Sequence, residues 1–345
     1  MNNNIPAETL PSPLLPHGAS SEETRRFFSL VGLAYATLAL SHLLTANLCQ
    51  YLLLILAPSV LSTWWMPWVL SILPLYTVGI GLMWQILKRI PVSPHNTDHA
   101  VSLTASVDKP KFHVGHWCIL LIIAFGCMTA GGLVGNIIMS ILSGIMDYDY
   151  ANALSEAINQ SPGWATFIVT CICAPFGEEL LFRKLLIDRT RRFGDLPSIL
   201  LSGLLFGLFH GNLFQLFYAA AAGMILAYVY TRTGSYLWCV AMHAVINFIS
   251  SIVTPAIVAT LPADLISFDS PTQLMTLMLL LLWQYGTLIA GMILLCTLLP
   301  RRKLSRGPLP LYRENGTSLV LGNAGMITAC AVMGLIMAVN LWPIR

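Results

Sequence analysis

Of the 345 residues only 10% are charged, 18 Lys+Arg against 15 Asp+Glu, where a soluble domain carries about 25%. Hydrophobic residues make up 56% of the chain and mean hydropathy is +0.74. This balance excludes a disordered chain, a collagen-like repeat, a disulfide scaffold and an ordinary cytosolic enzyme, and a scattered net charge of +3 offers nucleic acid no basic stripe. What it leaves is an all-α, polytopic transmembrane helical bundle, multi-pass in the cell membrane, with the lipid bilayer as its first partner.

Residues 1–26 read as a polar, Pro-rich, disordered tail without an early positive charge. The apolar run after it is far longer than a signal-peptide core and reads as a membrane span. A hydrocarbon core of about 30 Å asks for roughly 20 apolar helical residues. On that scale the chain predicts about nine spans, near 27–56, 64–87, 117–145, 163–186, 197–211, 213–232, 236–256, 273–299 and 323–343. Residues 27–116 form an N-terminal two-span unit with a polar loop, 117–256 a helical core, and 257–345 the C-terminal spans. Trp64, Trp65 and Trp68 fit an interfacial aromatic belt. The eight cysteines all lie in apolar stretches and read as small buried hydrophobes.

The charges give the bundle an orientation. Arg25 and Arg26, Lys88, Arg89, Lys109 and Lys111, Lys184, Arg189, Arg191 and Arg192, Arg232, and the cluster Arg301, Arg302, Lys303, Arg306 and Arg313 fall on one side of a nine-span chain. The opposite loops, near 57–63, 146–162, 211–214 and 257–272, hold no Lys or Arg. A positive-inside pattern therefore places the N-terminus in the cytoplasm. It also requires the short 197–211 segment to count as a crossing.

Ionisable residues inside a span cost about 2.5–3.5 kcal/mol each, so their positions ask for a reason. The fourth span holds Glu178, Glu179 and Arg183, a trio that uncompensated would cost roughly 8–10 kcal/mol. Glu179 and Arg183 stand at i,i+4 and can pair on one face. Glu178 is turned about 100° away, with Phe182 at its own i+4 position, so it has to face another helix. The polar groups at hand are His210, four residues after Phe206, and His243 with Asn247. His42 sits alone in the first span and reads as a packed or lipid-edge histidine.

A carboxylate, two histidines and an amide in a dry bundle can activate water. Glu178 can take the proton of a water that His210 orients, and His243 with Asn247 can hold an oxyanion. Equally, Glu178, His210 and His243 can be three zinc ligands with a fourth position open. Spacing does not choose between them, so the cofactor is none or zinc.

At these residues the chain resembles the CPBP family of intramembrane proteases, also called the Abi family, which includes CAAX prenyl endopeptidases and bacteriocin-processing enzymes. The motifs are Glu178-Glu179-Leu-Leu-Phe-Arg183, Phe206-Gly-Leu-Phe-His210 and His243-Ala-Val-Ile-Asn247, in order on successive spans. The resemblance covers about 163–256. It implies an endopeptidase acting on a membrane protein or peptide, with Glu178 and His210 activating water, His243 and Asn247 stabilising the oxyanion, and Glu179 and Arg183 holding the site together. Members have been described both as metalloproteases and as glutamate-dependent enzymes. Two rival readings are a catalytically silent peptide-binding immunity or scaffold protein and a proton-coupled transporter, because Glu/His chains in spans also move protons.

Overall fold

A computed structural model describes residues 20–93, 113–150, 152–263, 267–298, 304–309, 311 and 315–341. Most of the N-terminal tail, the centre of the 88–116 loop, and Arg301, Arg302, Lys303 and Arg313 lie outside the described residues. The main helices in chain order are α1 Ser21–Leu56, α2 Met66–Leu87, α3 Val114–Met146, α4 Ala153–Gln160, α5 Gly163–Phe193, α6 Asp195–Phe209, α7 Leu213–Thr233, α8 Tyr236–Val258, α9 Pro271–Leu298 and α10 Ala324–Asn340. Among the described residues there is no strand. Seven of these helices are long and apolar enough to cross a membrane, and α6 and α10 are shorter apolar helices. The protein is a multi-pass, all-α membrane protein.

Local chemistry starts these helices where the sequence changes character. Ser20 and Glu23 close a capping box on α1, with Ser20 Oγ accepting from the Glu23 amide at 3.2 Å and Glu23 Oε2 from the Ser20 amide at 2.8 Å. Asn212 caps α7 and Asn323 caps α10 more simply, each side-chain oxygen accepting from one backbone N–H, that of Gln215 or Met326. With lipid as apolar as leucine, helices then associate through close packing rather than burial from water. Gly131 and Gly135 of α3 lie against the α7 backbone, where an added Cβ would meet main-chain atoms at 2.7–2.8 Å. Gly126 of α3 meets Gly291 of α9 equally closely.

Two apolar cores result. One is built by α1, α2, α5, α6 and α10 around Phe28, Tyr35, Leu38, Met83, Phe182, Leu205 and Met326. The other is built mainly by α3, α7 and α8 around Ile123, Leu226, Val229, Met242 and Ile246. The helix carrying the paired acids, α5, contributes to both.

The basic residues collect at one end of the bundle. Arg25 donates to the Gly322 carbonyl at 2.9 Å, Arg192 to Pro91 at 2.6 Å and Arg191 to Thr231 at 2.6 Å. Asp195 binds the Ser305 amide at 2.9 Å, and the Leu309 amide donates to Arg192. Segments 87–93, 188–195, 231 and 304–309 are thereby tied together, at the end that the positive-inside rule makes cytoplasmic. Chain alternation puts the other contacts at the far end: Trp68 Nε1 donates to Ser161 Oγ at 2.7 Å, and Asn340 donates to the Gly211 carbonyl at 2.9 Å.

Helix α5 runs to Phe193 rather than ending near 186. Hydropathy ends a span where Arg189, Arg191 and Arg192 begin. In the structure the guanidinium of Arg189 donates to the carbonyls of Leu87, Ile90 and Leu185, so the helix continues with its charges satisfied.

Candidate active site

The site begins with an irregular backbone. Within α5, residues 167–173 and 180–185 wind as wide π-helical turns, and the tighter turn between them, 174–179, carries both acids. Further π turns occupy 75–79 of α2 and 249–253 of α8. All three helices line one cavity, and π turns gather at functional sites in many proteins.

A change of helical register leaves carbonyls free to accept from outside the helix, and in lipid they have to find a donor. Pro175 brings no N–H, and five residues before it the Thr170 carbonyl accepts instead from Asn247 Nδ2 at 2.7 Å. Tyr76 donates to the Cys173 carbonyl at 3.1 Å, Tyr236 to Phe176, Tyr35 to Leu181 at 2.5 Å, and Ser202 to Phe182 at 2.8 Å. Five donors from α1, α2, α6 and α8 thus clamp the middle of α5. Gly177 is small because the Tyr76 ring passes over it: a Cβ there would fall 1.7 Å from the phenol oxygen.

The clamped turn separates its two acids. Glu179 and Arg183 form the expected pair, Nε to Oε2 at 2.9 Å, with both side chains fully buried. Nη1 and Nη2 of Arg183 make no hydrogen bond, and the guanidinium lies over the Phe206 ring at 4.6 Å from its centroid. Glu178 keeps 22% of its side-chain surface exposed. It lines a cavity of about 620 Å³ together with Phe206, His210, His243 and Asn247. His42 lines the same cavity rather than a lipid edge.

The two histidines are oriented from behind. His243 Nδ1 lies 2.8 Å from Glu179 Oε1, and a carboxylate can only accept, so Nδ1 carries the proton and Nε2 faces Glu178 Oε2 at 3.8 Å. His210 Nδ1 lies 2.7 Å from the Phe206 carbonyl, which again fixes the proton on Nδ1 and leaves Nε2 with a free lone pair. Phe206 is the post on which these parts meet: its ring stands edge-on to His210 at 4.8 Å and to His243 at 5.8 Å. Helix α6 has 15 residues, a rise of about 22 Å, and it ends at His210, which lines the cavity with Glu178.

The structure therefore brings the four residues of the expected catalytic set to one cavity, which Phe206 also lines, and buries the Glu179–Arg183 pair outside its lining. Sequence reasoning missed the bond from Glu179 to His243, because it gave Glu179 wholly to Arg183, although a carboxylate has an oxygen for each. It also missed Tyr35, Tyr76, Ser202 and Tyr236. Their signal was present as lone hydroxyls in apolar spans. Among the described residues no group of three or more His, Cys, Asp or Glu side chains is placed to hold a metal ion.

Residues 159–249, spanning α5 to the middle of α8, match the family model of the Rce1-like type II CAAX prenyl endopeptidases. No curated protein and no solved structure matches the chain. The match supports a CPBP family intramembrane protease, and it covers α5, α6 and the part of α8 that together supply Glu178, Glu179, Arg183, Phe206, His210, His243 and Asn247.

Proposed function

We propose that this CAAX-type intramembrane endopeptidase hydrolyses a peptide bond of a membrane-associated protein or peptide with a water activated by Glu178 and His210. One observation carries the reading: Glu178, the acid of the trio without an Arg or Lys partner, opens into the cavity that His210, His243 and Asn247 also line.

The chemistry follows from which atoms are spoken for. A water between Glu178 and His210 gives one hydrogen to the carboxylate and the other to the free Nε2 of His210, so its oxygen lone pair points away from both. That oxygen attacks the carbonyl carbon of the substrate as Glu178 takes the proton. The resulting oxyanion accepts from the second N–H of Asn247, whose first is committed to Thr170, and from His243 Nε2 when the ring is protonated at both nitrogens. The Glu179 carboxylate behind Nδ1 supplies the counter-charge for that form. Glu178 then returns its proton to the amide nitrogen, the C–N bond breaks, and acid and amine products leave.

The transporter reading requires a polar path from end to end. Here the charged groups beyond Glu178 are sealed, with Glu179 and Arg183 fully buried. A silent binding protein would not need both histidines held by one nitrogen with the other turned to the acid or left free.

The test uses a quenched farnesylated CAAX peptide and the purified protein in lipid nanodiscs. Glu178→Gln and His210→Ala each lower cleavage by about 10²–10⁴-fold with monodispersity retained. Wild-type cleavage in either variant removes the assignment. Metal analysis of the purified protein, with cleavage measured after chelation, decides whether zinc takes part.

A further inference from the structure

The cavity sits off-centre along the bundle. Helices α2, α5, α6 and α9 line it only from the halves farther from the basic end, within 68–76, 169–178, 206–210 and 280–284. On α5 the lining stops at Glu178. Toward the basic end from there, Leu181, Phe182, Leu186 and Ile187 have no exposed surface, and Glu179 and Arg183 are closed on each other. Tyr35 and Ser202 bond to the Leu181 and Phe182 carbonyls across this packing, at 2.5 Å and 2.8 Å. Among the described residues, segments 87–93, 188–195, 231–235 and 304–309, which make the basic end, add nothing to the wall.

The opposite end is crossed by α4. Asn152 caps this helix, its Oδ1 accepting from the amides of Leu154 at 3.2 Å and Ser155 at 3.4 Å. The Trp68 bond to Ser161 fastens its other end to α2. Leu154 and Ile158, four residues apart, line the cavity, while Glu156 between them is exposed. Ser155 both lines the cavity and is exposed, which marks the mouth.

We infer that the cavity is entered from the non-cytoplasmic side, past α4, and that its substrate is a polypeptide segment lying on that side rather than a cytoplasmic tail. The inference rests on the hydrolysis proposed above and assigns its substrate class. Sidedness comes from two separate facts: the charges make the basic end cytoplasmic, and the space leading to Glu178 occupies the other half. The wall describes the segment. Asn136, Asn152, Ser155 and Gln284 offer uncharged amides and a hydroxyl beside the indoles of Trp68 and Trp283, and among the described residues no Lys or Arg lines the space. Such a wall takes an extended, uncharged stretch of main chain from an exported or membrane-anchored protein.

The test uses right-side-out and inverted membrane vesicles from cells expressing the protein. The quenched farnesylated CAAX peptide, made membrane-impermeant by a sulphonated fluorophore, is added outside. Right-side-out vesicles cleave it, and inverted vesicles do so only once detergent opens them. Cleavage by intact inverted vesicles, or cleavage by right-side-out vesicles only after detergent, overturns the inference. A second readout needs no turnover. Above the wild-type background, an impermeant maleimide labels Ser155→Cys at the mouth and Ala174→Cys on the wall in right-side-out vesicles alone, and Ser305→Cys at the basic end in inverted vesicles alone. Labelling of Ala174→Cys from the inverted side, or from neither, overturns the inference whether or not the peptide is cut. No cleavage after detergent, or cleavage by Glu178→Gln, overturns the hydrolytic reading instead, and the labelling still decides the side of entry.

Discussion

Helices α5 and α9 have nearly the same length and nearly the same hydropathy, 1.5 against 1.9, yet they solve the membrane in opposite ways. Helix α9 is α-helical from Pro271 to Leu298 and buries only Gly291, the residue that meets Gly126. Its Met278, Leu282, Ile289 and Ile293 face outward into lipid, and its backbone bonds are its own. Helix α5 breaks its ladder twice, takes five carbonyl partners from four other helices, and carries every acid of the site. Hydrophobicity inserts both. The candidate site sits in the helix that cannot satisfy itself, and the donors drawn in to complete its backbone also hold that helix in place.

That contrast is open to direct attack, and the largest effect lies in turnover. Glu178→Gln lowers cleavage by about 10²–10⁴-fold, while Leu282→Ala on α9 leaves it unchanged; equal loss in both would mean that the bundle, not α5, carries the chemistry. Next comes the buried pair. Arg183→Ala leaves Glu179 charged with His243 as its remaining partner and costs about 3–5 kcal/mol in reversible denaturation, and a variant as stable as wild type would refute the pairing. Removal of a clamp is smaller. Tyr76→Phe costs about 0.5–1.5 kcal/mol, and Gly177→Ala, which displaces the same phenol, adds little to it; full additivity would mean that Tyr76 does not hold α5. Smallest is Leu282→Ala itself, within about 0.5 kcal/mol of wild type by the same denaturation assay.

The spans were legible because hydrophobic length is a local property. The expected 64–87, 213–232 and 236–256 correspond to helices Met66–Leu87, Leu213–Thr233 and Tyr236–Val258. Where a boundary moved, a distant partner moved it, as with Arg189 reaching carbonyls about a hundred residues earlier to prolong α5. Helix α4, with its short amphipathic sequence, gave no span signal and stayed hidden in a loop. At the site, the i,i+4 rule was enough for Glu179 with Arg183 and for the distinct direction of Glu178. Nothing local could announce the π turns, the five donors that complete them, or the second allegiance of Glu179. Those depend on which helices come to rest beside α5, and spacing along one chain segment holds no record of that.

The wide turns of α5 also set what its gene can tolerate. Each holds close to one residue more per turn than an ordinary helix would. Losing a single codon between 167 and 173 would let the helix rewind to regular pitch and swing everything beyond it by roughly 100°. Glu178 would leave the cavity and Arg183 would leave the Phe206 ring, although hydropathy along the segment would scarcely change. Helix α9 would absorb the same deletion by sliding in lipid. The site therefore depends on the register of one helix more strictly than on its composition.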